Sequence, residues 1–101
     1  MKYQPVQNYI NGSFIDSGGS RRLQVISPLN GQLLSDLPLS TGADLDKAVD
    51  AAKAAFLSWS KTPIKERVQV FFRYKTLLEK HLDELAALCS EENGKTHAIV
   101  A

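Results

Sequence analysis

The longest regular pattern in the sequence is helical and runs from Thr41 to Gly94. Apolar residues recur there at intervals of three and four positions, as in amphipathic helices. Turn and boundary residues interrupt the pattern at Thr62-Pro63 and again near His81. The pattern therefore predicts three successive helices, over residues 42–59, 63–81 and 82–93.

The predicted helix ends follow from the residues found there. The Thr41 hydroxyl is placed to accept a hydrogen bond from the N–H of Asp44 at the start of the first helix. Thr62 is expected to cap the second helix, with Pro63 at its first position. Gly94 suits the left-handed conformation that often ends a helix.

A further helix is predicted to begin at Thr96, but only a few apolar residues follow before Ala101. An apolar segment that stops within its pattern makes a poor end for a complete domain. The pattern therefore indicates a fragment of a longer protein.

The first 40 residues favour short strands and turns. Residues 8–39 are predicted to form two β-hairpins, the first turning at Asn11-Gly12, because both residues tolerate positive φ. Residues 28–31 (PLNG) have the composition of a second turn. Residues 1–6 are expected to be a loose arm. The predicted fold is α+β and mostly helical, with two short hairpins followed by three to four helices.

Composition and charge exclude several functions. The 101 residues carry a formal net charge of +1, which gives no reason to expect nucleic acid or an anionic membrane as a partner. No stretch approaches the roughly 20 apolar residues of a membrane-spanning helix. Cys89 is the only cysteine, so an internal disulfide is impossible and a reducing, cytoplasmic setting is predicted.

The residues that could carry nucleophilic or metal chemistry are few. Cys89 lies on the apolar side of the third predicted helix, where a buried structural role is favoured over a nucleophilic one. His81 is expected at a helix boundary, and His97 in the first turn of the unfinished helix. Neither histidine has metal-ligand spacing to the other or to Cys89.

The remaining candidates also favour structural roles. Glu91 and Glu92 diverge by about 100° on a helix and are expected to be solvated rather than a catalytic pair. Residues 93–95 (NGK) fit a helix cap better than a phosphate cradle, and Gly18-Gly19 does not complete a phosphate-binding motif. The aromatic residues are expected to form core: Phe56, Trp59, Phe71, Phe72 and Tyr74. No catalytic, cofactor-binding or metal-binding residue is assigned from these patterns.

Several segments together resemble the N-terminal end of an aldehyde dehydrogenase. They are residues 8–14 (NYINGSF), 27–31 (SPLNG), 46–56 (DKAVDAAKAAF) with Trp59, then Arg67, and 92–95 (ENGK). Within that superfamily the chain is most similar to the CoA-acylating methylmalonate-semialdehyde dehydrogenase branch. The narrower match is carried by residues 59–63 (WSKTP), 72–75 (FRYK), 77–81 (LLEKH) and 92–96 (ENGKT).

The resemblance implies that the parent protein oxidises a semialdehyde with NAD through a cysteine thioester that CoA resolves. It also implies a homo-oligomer, and it makes residues 1–101 an incomplete N-terminal part of the cofactor-binding domain. The catalytic motifs of the family are unmatched, so this chain alone is expected to be inactive and to bind neither NAD nor CoA. Some relatives hold a monovalent cation at positions that match Ile26 and Glu92.

Two functions remain open at this point. In the first, the chain is a scaffold segment whose partner is the remainder of the dehydrogenase. In the second, it is a self-standing helical protein-interaction module. A segment separated from its domain should expose apolar surface, so self-association through Phe71, Phe72, Leu77 or Val100 is predicted.

Overall fold

The computed structural model describes residues 1–96. The predicted order of two antiparallel strand pairs followed by three helices is confirmed. The described chain divides into two compact units rather than one. The first unit contains residues 1–26 and 32–60, and the second contains residues 27–31 together with the chain from residue 61 onward.

The first hairpin pairs β1 (Asn8–Ile10) with β2 (Ser13–Ile15). Its two-residue turn has positive φ at Asn11 (51°) and at Gly12 (79°), as the Asn-Gly pattern predicts. Tyr9 and Phe14 lie directly opposite each other on the two strands, with ring centroids 4.9 Å apart. This aromatic pair stabilises the short ladder from one side.

The second strand pair joins β3 (Arg22–Ile26) to β4 (Leu33–Pro38), with an irregularity between Val25 and Ile26. The expectation that residues 1–6 are a loose arm is wrong. Tyr3 and Val6 donate backbone N–H bonds of 2.8 and 2.9 Å to the carbonyls of Leu34 and Asp36. The arm thus satisfies backbone acceptors of β4 that a two-stranded hairpin would leave to water.

The buried centre of the first unit lies in β4. Leu34 is 1% exposed, and the neighbouring Ser35 is also buried. The Ser35 hydroxyl donates a 2.7 Å bond to the carbonyl of Gln4, so the buried polar atom is satisfied by the arm. The arm and the β3–β4 pair therefore form one hydrogen-bonded structure around Leu34.

Helix α1 (Gly42–Trp59) follows β4 within the first unit. The predicted cap is confirmed, because the N–H of Asp44 donates a 3.2 Å bond to the Thr41 hydroxyl. The Asp44 carboxylate accepts the N–H of Thr41 in return, which completes a capping box. No residue of α1 is buried.

The second unit contains α2 (Ile64–Lys80) and α3 (Leu82–Asn93), joined at His81. Helix α2 begins one residue later than predicted, with Pro63 rather than Thr62 in the N-cap position. The backbone of Pro63 is extended there (ψ 144°), and its carbonyl accepts the N–H groups of Glu66 and Arg67. Ala86, which is 3% exposed, is the single buried residue of the two helices.

Gly94 ends α3 in the left-handed conformation (φ 73°), as predicted. A side chain at this position would begin 3.3 Å from the ring of Pro28, so the turn of residues 27–31 lies against the end of α3. That turn is closed by a 2.9 Å bond from the N–H of Gly31 to the carbonyl of the buried Ser27. The further helix predicted after Thr96, including His97, lies outside the described residues.

Candidate functional site

Cys89 is exposed, which corrects the prediction of a buried structural cysteine. The prediction was right about the helix and its apolar side. It was wrong about what covers that side, because the described chain places nothing over it. The thiol is therefore accessible in this chain.

The other candidate side chains are dispersed. His81 occupies the predicted helix boundary, with Nδ1 3.2 Å from a carboxylate oxygen of Glu84. Glu92 is exposed as predicted, whereas Glu91 is half-buried, so the expectation of a solvated pair holds for one residue of the two. Within residues 1–96, no three His, Cys, Asp or Glu side chains are grouped so that they could hold a metal ion.

The densest polar cluster in the first unit surrounds Asp44. The Asp44 carboxylate accepts the N–H of Thr41 at 2.8 Å and the N–H of Gly18 at 3.2 Å. It also accepts the hydroxyl of Ser17 at 3.0 Å. The same Ser17 oxygen accepts the N–H of Gly19 at 3.1 Å. One side chain thus caps α1 and fixes the loop between β2 and β3 against it.

These donors change the acidity of the carboxyl group. The N–H groups of Thr41 and Gly18 stabilise the ionised form and lower the pKa of Asp44 from 3.8 to about 2. The hydroxyls of Ser17 and Thr41 act in the same direction, and partial desolvation opposes them. The cluster therefore depends on Asp44 being ionised.

We expect the stability of the first unit to fall as the pH drops from about 4 to about 2. Because the pKa of Asp44 is lower in the folded state, its contribution is complete above the unfolded value and disappears through the folded value. The variant Asp44→Asn should be less stable at pH 7 and should lose part of this pH dependence. Urea unfolding followed by the fluorescence of Trp59, in the same unit, at several pH values measures both effects.

The matched control is Asp46→Asn, which removes an exposed carboxylate two residues further along the same helix. It should leave the unfolding midpoint nearly unchanged across this pH range. If both variants shift the midpoint equally, the effect comes from net charge rather than from the Asp44 cluster.

The sequence indicated half of this cluster. Thr41 and Asp44 stand three residues apart before an apolar helical pattern, which is a recognisable capping signal. The contacts of Asp44 with Ser17 and Gly18 join residues 26 and 27 positions apart, and no local pattern reports such a distance. The N–H of Gly18 already donates to the Asp44 carboxylate. This N–H is therefore not available to bind a phosphate, and the negative charge of Asp44 lies beside it.

The apolar side of α1 is largely uncovered. Leu45, Val49, Phe56 and Trp59 are all exposed, with Phe56 at 63%. A groove of about 520 Å³ lies between four of the six alanines of this helix and the first hairpin. The groove is lined by Tyr9, Ile10, Asn11, Gly12, Ala48, Ala51, Ala52 and Ala55.

The apolar stripe of α2 is exposed in the same way. Its members, spaced as on one side of a helix, are Ile64, Val68, Phe71 and Leu78, with Phe71 at 66%. The prediction that the aromatic residues of the helices form core is therefore wrong for this chain. The helical pattern was read correctly, but the surfaces that would bury these side chains are not among the described residues.

The suggested cation positions fall on different elements. Ile26 ends β3 in the first unit, and Glu92 lies near the end of α3 in the second. Their joint role stays a prediction. On length and hydropathy together, none of the three described helices could span a lipid bilayer.

Known proteins share the order of strands and helices found in this chain. The sequence profile of the aldehyde dehydrogenase family matches residues 14–101, which is most of the chain. The chain belongs to the aldehyde dehydrogenase family.

Within the family, the chain is similar to curated malonate-semialdehyde dehydrogenases. The chain is 45% identical over 94 residues to malonate-semialdehyde dehydrogenase 1 of Geobacillus thermodenitrificans, and 43% identical over 93 residues to malonate-semialdehyde dehydrogenase of Bacillus pumilus. These matches cover 93% and 92% of this chain but 19% of each relative. The chain thus corresponds to the N-terminal fifth of these proteins. A self-standing interaction module is not supported.

A solved structure agrees with the sequence matches. A protein of Sinorhizobium meliloti 1021, named provisionally as a methylmalonate-semialdehyde dehydrogenase and complexed with NAD, superposes with a TM-score of 0.92. It is 32% identical, and the match covers 99% of this chain and 20% of that one. The arrangement of hairpins and helices is therefore that of an aldehyde dehydrogenase N-terminal segment.

Proposed function

We propose that this chain is the N-terminal scaffold segment of an NAD-dependent, CoA-acylating malonate or methylmalonate-semialdehyde dehydrogenase. Its partner is the remainder of the dehydrogenase chain, and the parent acts on a semialdehyde as a cytoplasmic homo-oligomer. Residues 1–101 form an incomplete part of the NAD-binding domain, without catalytic residues of their own. The observation that carries the proposal is a match covering more than nine-tenths of this chain and about a fifth of each relative.

The exposed helical faces support this role. An amphipathic helix is stabilised mainly by burial of its apolar side, and α1 and α2 bury no residue within this chain. Surface helices of stable monomers do not leave such continuous apolar stripes in water. A longer chain that packs against the stripes of α1 and α2 supplies the missing burial.

The described residues do not themselves fit a nicotinamide cofactor or CoA. Both ligands carry phosphates, which bind best where free backbone N–H groups and positive charge meet. In the first unit the N–H groups of Gly18 and of the N-cap residue Thr41 already donate to the Asp44 carboxylate, whose charge repels a phosphate. We therefore assign both ligands to later parts of the parent protein and give this segment a supporting role.

The compartment is inferred from the single cysteine. Cys89 is exposed and free, and an accessible unpaired thiol persists best where thiols are kept reduced. This supports a cytoplasmic parent protein.

A chimeric enzyme tests the proposal. The matching N-terminal segment of the Geobacillus thermodenitrificans enzyme is replaced by residues 1–101 of this chain, and NADH formation is measured with malonate semialdehyde, NAD and CoA. We expect the chimera to fold and turn over. The 101-residue chain alone should form no NADH, and NADH formation by it would contradict the scaffold role.

Two substitutions in the chimera distinguish the loss of packing between α1 and the rest of the enzyme from a general effect of mutation in this helix. Phe56→Ser places a polar group on the exposed apolar side of α1, and Lys47→Ser changes an exposed residue on the opposite side of the same helix. Because burial of a phenylalanine contributes several kcal/mol, Phe56→Ser should lower the yield of active enzyme by at least about tenfold. Lys47→Ser should leave it unchanged. Equal effects, or an inactive chimera with native secondary structure, would refute the proposal.

A further inference from the structure

Three of the asparagines in the sequence precede a glycine: Asn11, Asn30 and Asn93. This dipeptide carries both groups of one reaction, because the side-chain amide carbon of asparagine can be attacked by the next backbone nitrogen. Glycine has no Cβ to shield that nitrogen or to restrict its approach. The chain therefore contains three candidate sites for the same covalent modification, which is deamidation through a five-membered ring.

The reaction needs no reagent other than water. The backbone nitrogen of the glycine forms a bond to Cγ of the asparagine, and the bond from Cγ to Nδ2 breaks. The amide group leaves as ammonia and takes the proton of the glycine nitrogen. Water then opens the ring at one of its two carbonyls, which gives either aspartate or isoaspartate, whose main chain runs through Cβ.

The hydrogen bonds of the three glycine nitrogens differ. Exposure does not distinguish the sites, because all three asparagines are exposed. The N–H of Gly94 donates a 2.8 Å bond to the carbonyl of Ser90, and the N–H of Gly31 donates a 2.9 Å bond to that of Ser27. Each nitrogen must lose its hydrogen bond before it can attack, so both sites are protected.

The nitrogen of Gly12 is not held in this way. The hairpin turn closes through the pairing of Ile10 with Ser13, which leaves Gly12 outside the ladder. Within residues 1–96, the N–H of Gly12 donates no hydrogen bond. A side chain at Gly12 would meet no atom within 4 Å, so the turn is open on that side.

The side-chain amides differ in the same direction. Nδ2 of Asn93 donates a 3.1 Å bond to the carbonyl of Cys89 in the last turn of α3. This bond holds the amide along the helix and away from the next nitrogen. In the described part of the chain the Asn11 side chain makes no such bond, so its amide is free to rotate.

Ring closure also requires the backbone to leave its folded conformation, and the first hairpin opens most easily. Its strands β1 and β2 have three residues each and form a separate two-stranded sheet. Such a hairpin is marginally stable by itself. Gly94, by contrast, ends a 12-residue helix and lies against the ring of Pro28. Local opening therefore exposes Asn11 more often than Asn93.

We propose that Asn11 is a site of spontaneous deamidation, at which isoaspartate and aspartate form while the fold protects Asn30 and Asn93. The modification does not depend on the dehydrogenase assignment, because it uses only the local structure around each asparagine.

The product alters the hairpin and the groove beside it. Isoaspartate adds an atom to the main chain of a turn that has positive φ at both Asn11 and Gly12. The two strands then no longer meet in the register that a two-residue turn specifies. The new carboxylate also lies at the groove between this hairpin and α1, whose lining residues carry no charge.

The three asparagines are internal controls for one another. The 101-residue chain is incubated in mildly alkaline buffer, and the deamidated fraction at each site is followed by peptide mapping with mass spectrometry. We expect Asn11 to react at least about tenfold faster than Asn30 or Asn93. In concentrated urea, which removes the hydrogen bonds of the fold, the three rates should converge.

A matched variant tests the effect on the hairpin. Asn11→Gly keeps the turn, because glycine adopts positive φ, and it removes the amide carbon that reacts. During incubation the wild type should lose protection from hydrogen exchange in residues 8–15 as isoaspartate accumulates. Asn11→Gly should keep this protection over the same period.

Each outcome supports or overturns the proposal. Faster reaction at Asn11 in buffer together with equal rates in urea supports it. Equal rates in buffer, or a faster reaction at Asn30 or Asn93, overturn it. A preference for Asn11 that persists in urea also overturns it, because the neighbouring sequence rather than the fold would then select the site. Equal loss of protection in Asn11→Gly refutes the effect on the hairpin.

Discussion

Replacing Leu34 with alanine is expected to lower the free energy of unfolding of the first unit by about 2–5 kcal/mol. Leu34 is 1% exposed near the start of β4, at the irregularity in the pairing with β3, and its carbonyl accepts the N–H of Tyr3 from the N-terminal arm. Small units bury little apolar surface, so their total stability is of similar size. The variant should therefore be partly or wholly unfolded at 25 °C.

Urea unfolding followed by Trp59 fluorescence measures this loss, because the single tryptophan lies in the same unit. The control is Leu23→Ala on the neighbouring strand, where the leucine is 55% exposed. That change should shift stability by less than about 1 kcal/mol. If the two variants lose equal stability, Leu34 is not the centre of the unit.

Gly19→Ala is the second change with a large expected effect. A methyl group at Gly19 would overlap the carbonyl oxygen of Leu39, which is backbone and cannot rotate away. The strand end that carries Leu39 is held by a 2.8 Å bond from its N–H to the carbonyl of Arg21. We expect destabilisation of about 1–3 kcal/mol or more, as for other overpacked positions.

The neighbouring Gly18→Ala provides the matched control. A methyl group there would lie 3.5 Å from a carboxylate oxygen of Asp44, which is an ordinary contact distance. Its unfolding midpoint should stay close to that of the wild type, whereas that of Gly19→Ala should fall clearly. Equal shifts in the two variants would mean that loop flexibility, rather than the contact with Leu39, requires glycine.

The elements could be predicted because their signals are local. Asn11-Gly12 specifies a tight hairpin turn, Thr41 and Asp44 specify the start of α1, and Gly94 specifies the end of α3. Each signal acts within about four residues, through φ preference or a side-chain hydrogen bond. The start of α2 was missed by one residue, because Pro63 can serve either as the cap or as the first helical residue.

Exposure and long-range contacts could not be predicted in the same way. An apolar stripe on a helix shows which side needs cover, but it does not show where the cover is, so Phe71 and Cys89 were expected to be buried. The arm was missed because polar residues such as Gln4 carry no strand pattern, although they pair with β4 about 30 positions away. The contacts of Asp44 with Ser17 and Gly18 were missed for the same reason.

The pairing of the arm with β4 has a consequence for synthesis on the ribosome. Its hydrogen bonds join residues 2–6 to residues 33–36, and the Asp44 cluster follows within a few residues. These bonds can therefore form as soon as the segment up to Asp44 has left the exit tunnel, before α2 and α3 have left it. Once α1 has also emerged, the nascent chain presents a structured first unit with the exposed apolar side of α1, which is the kind of surface that chaperones hold during translation.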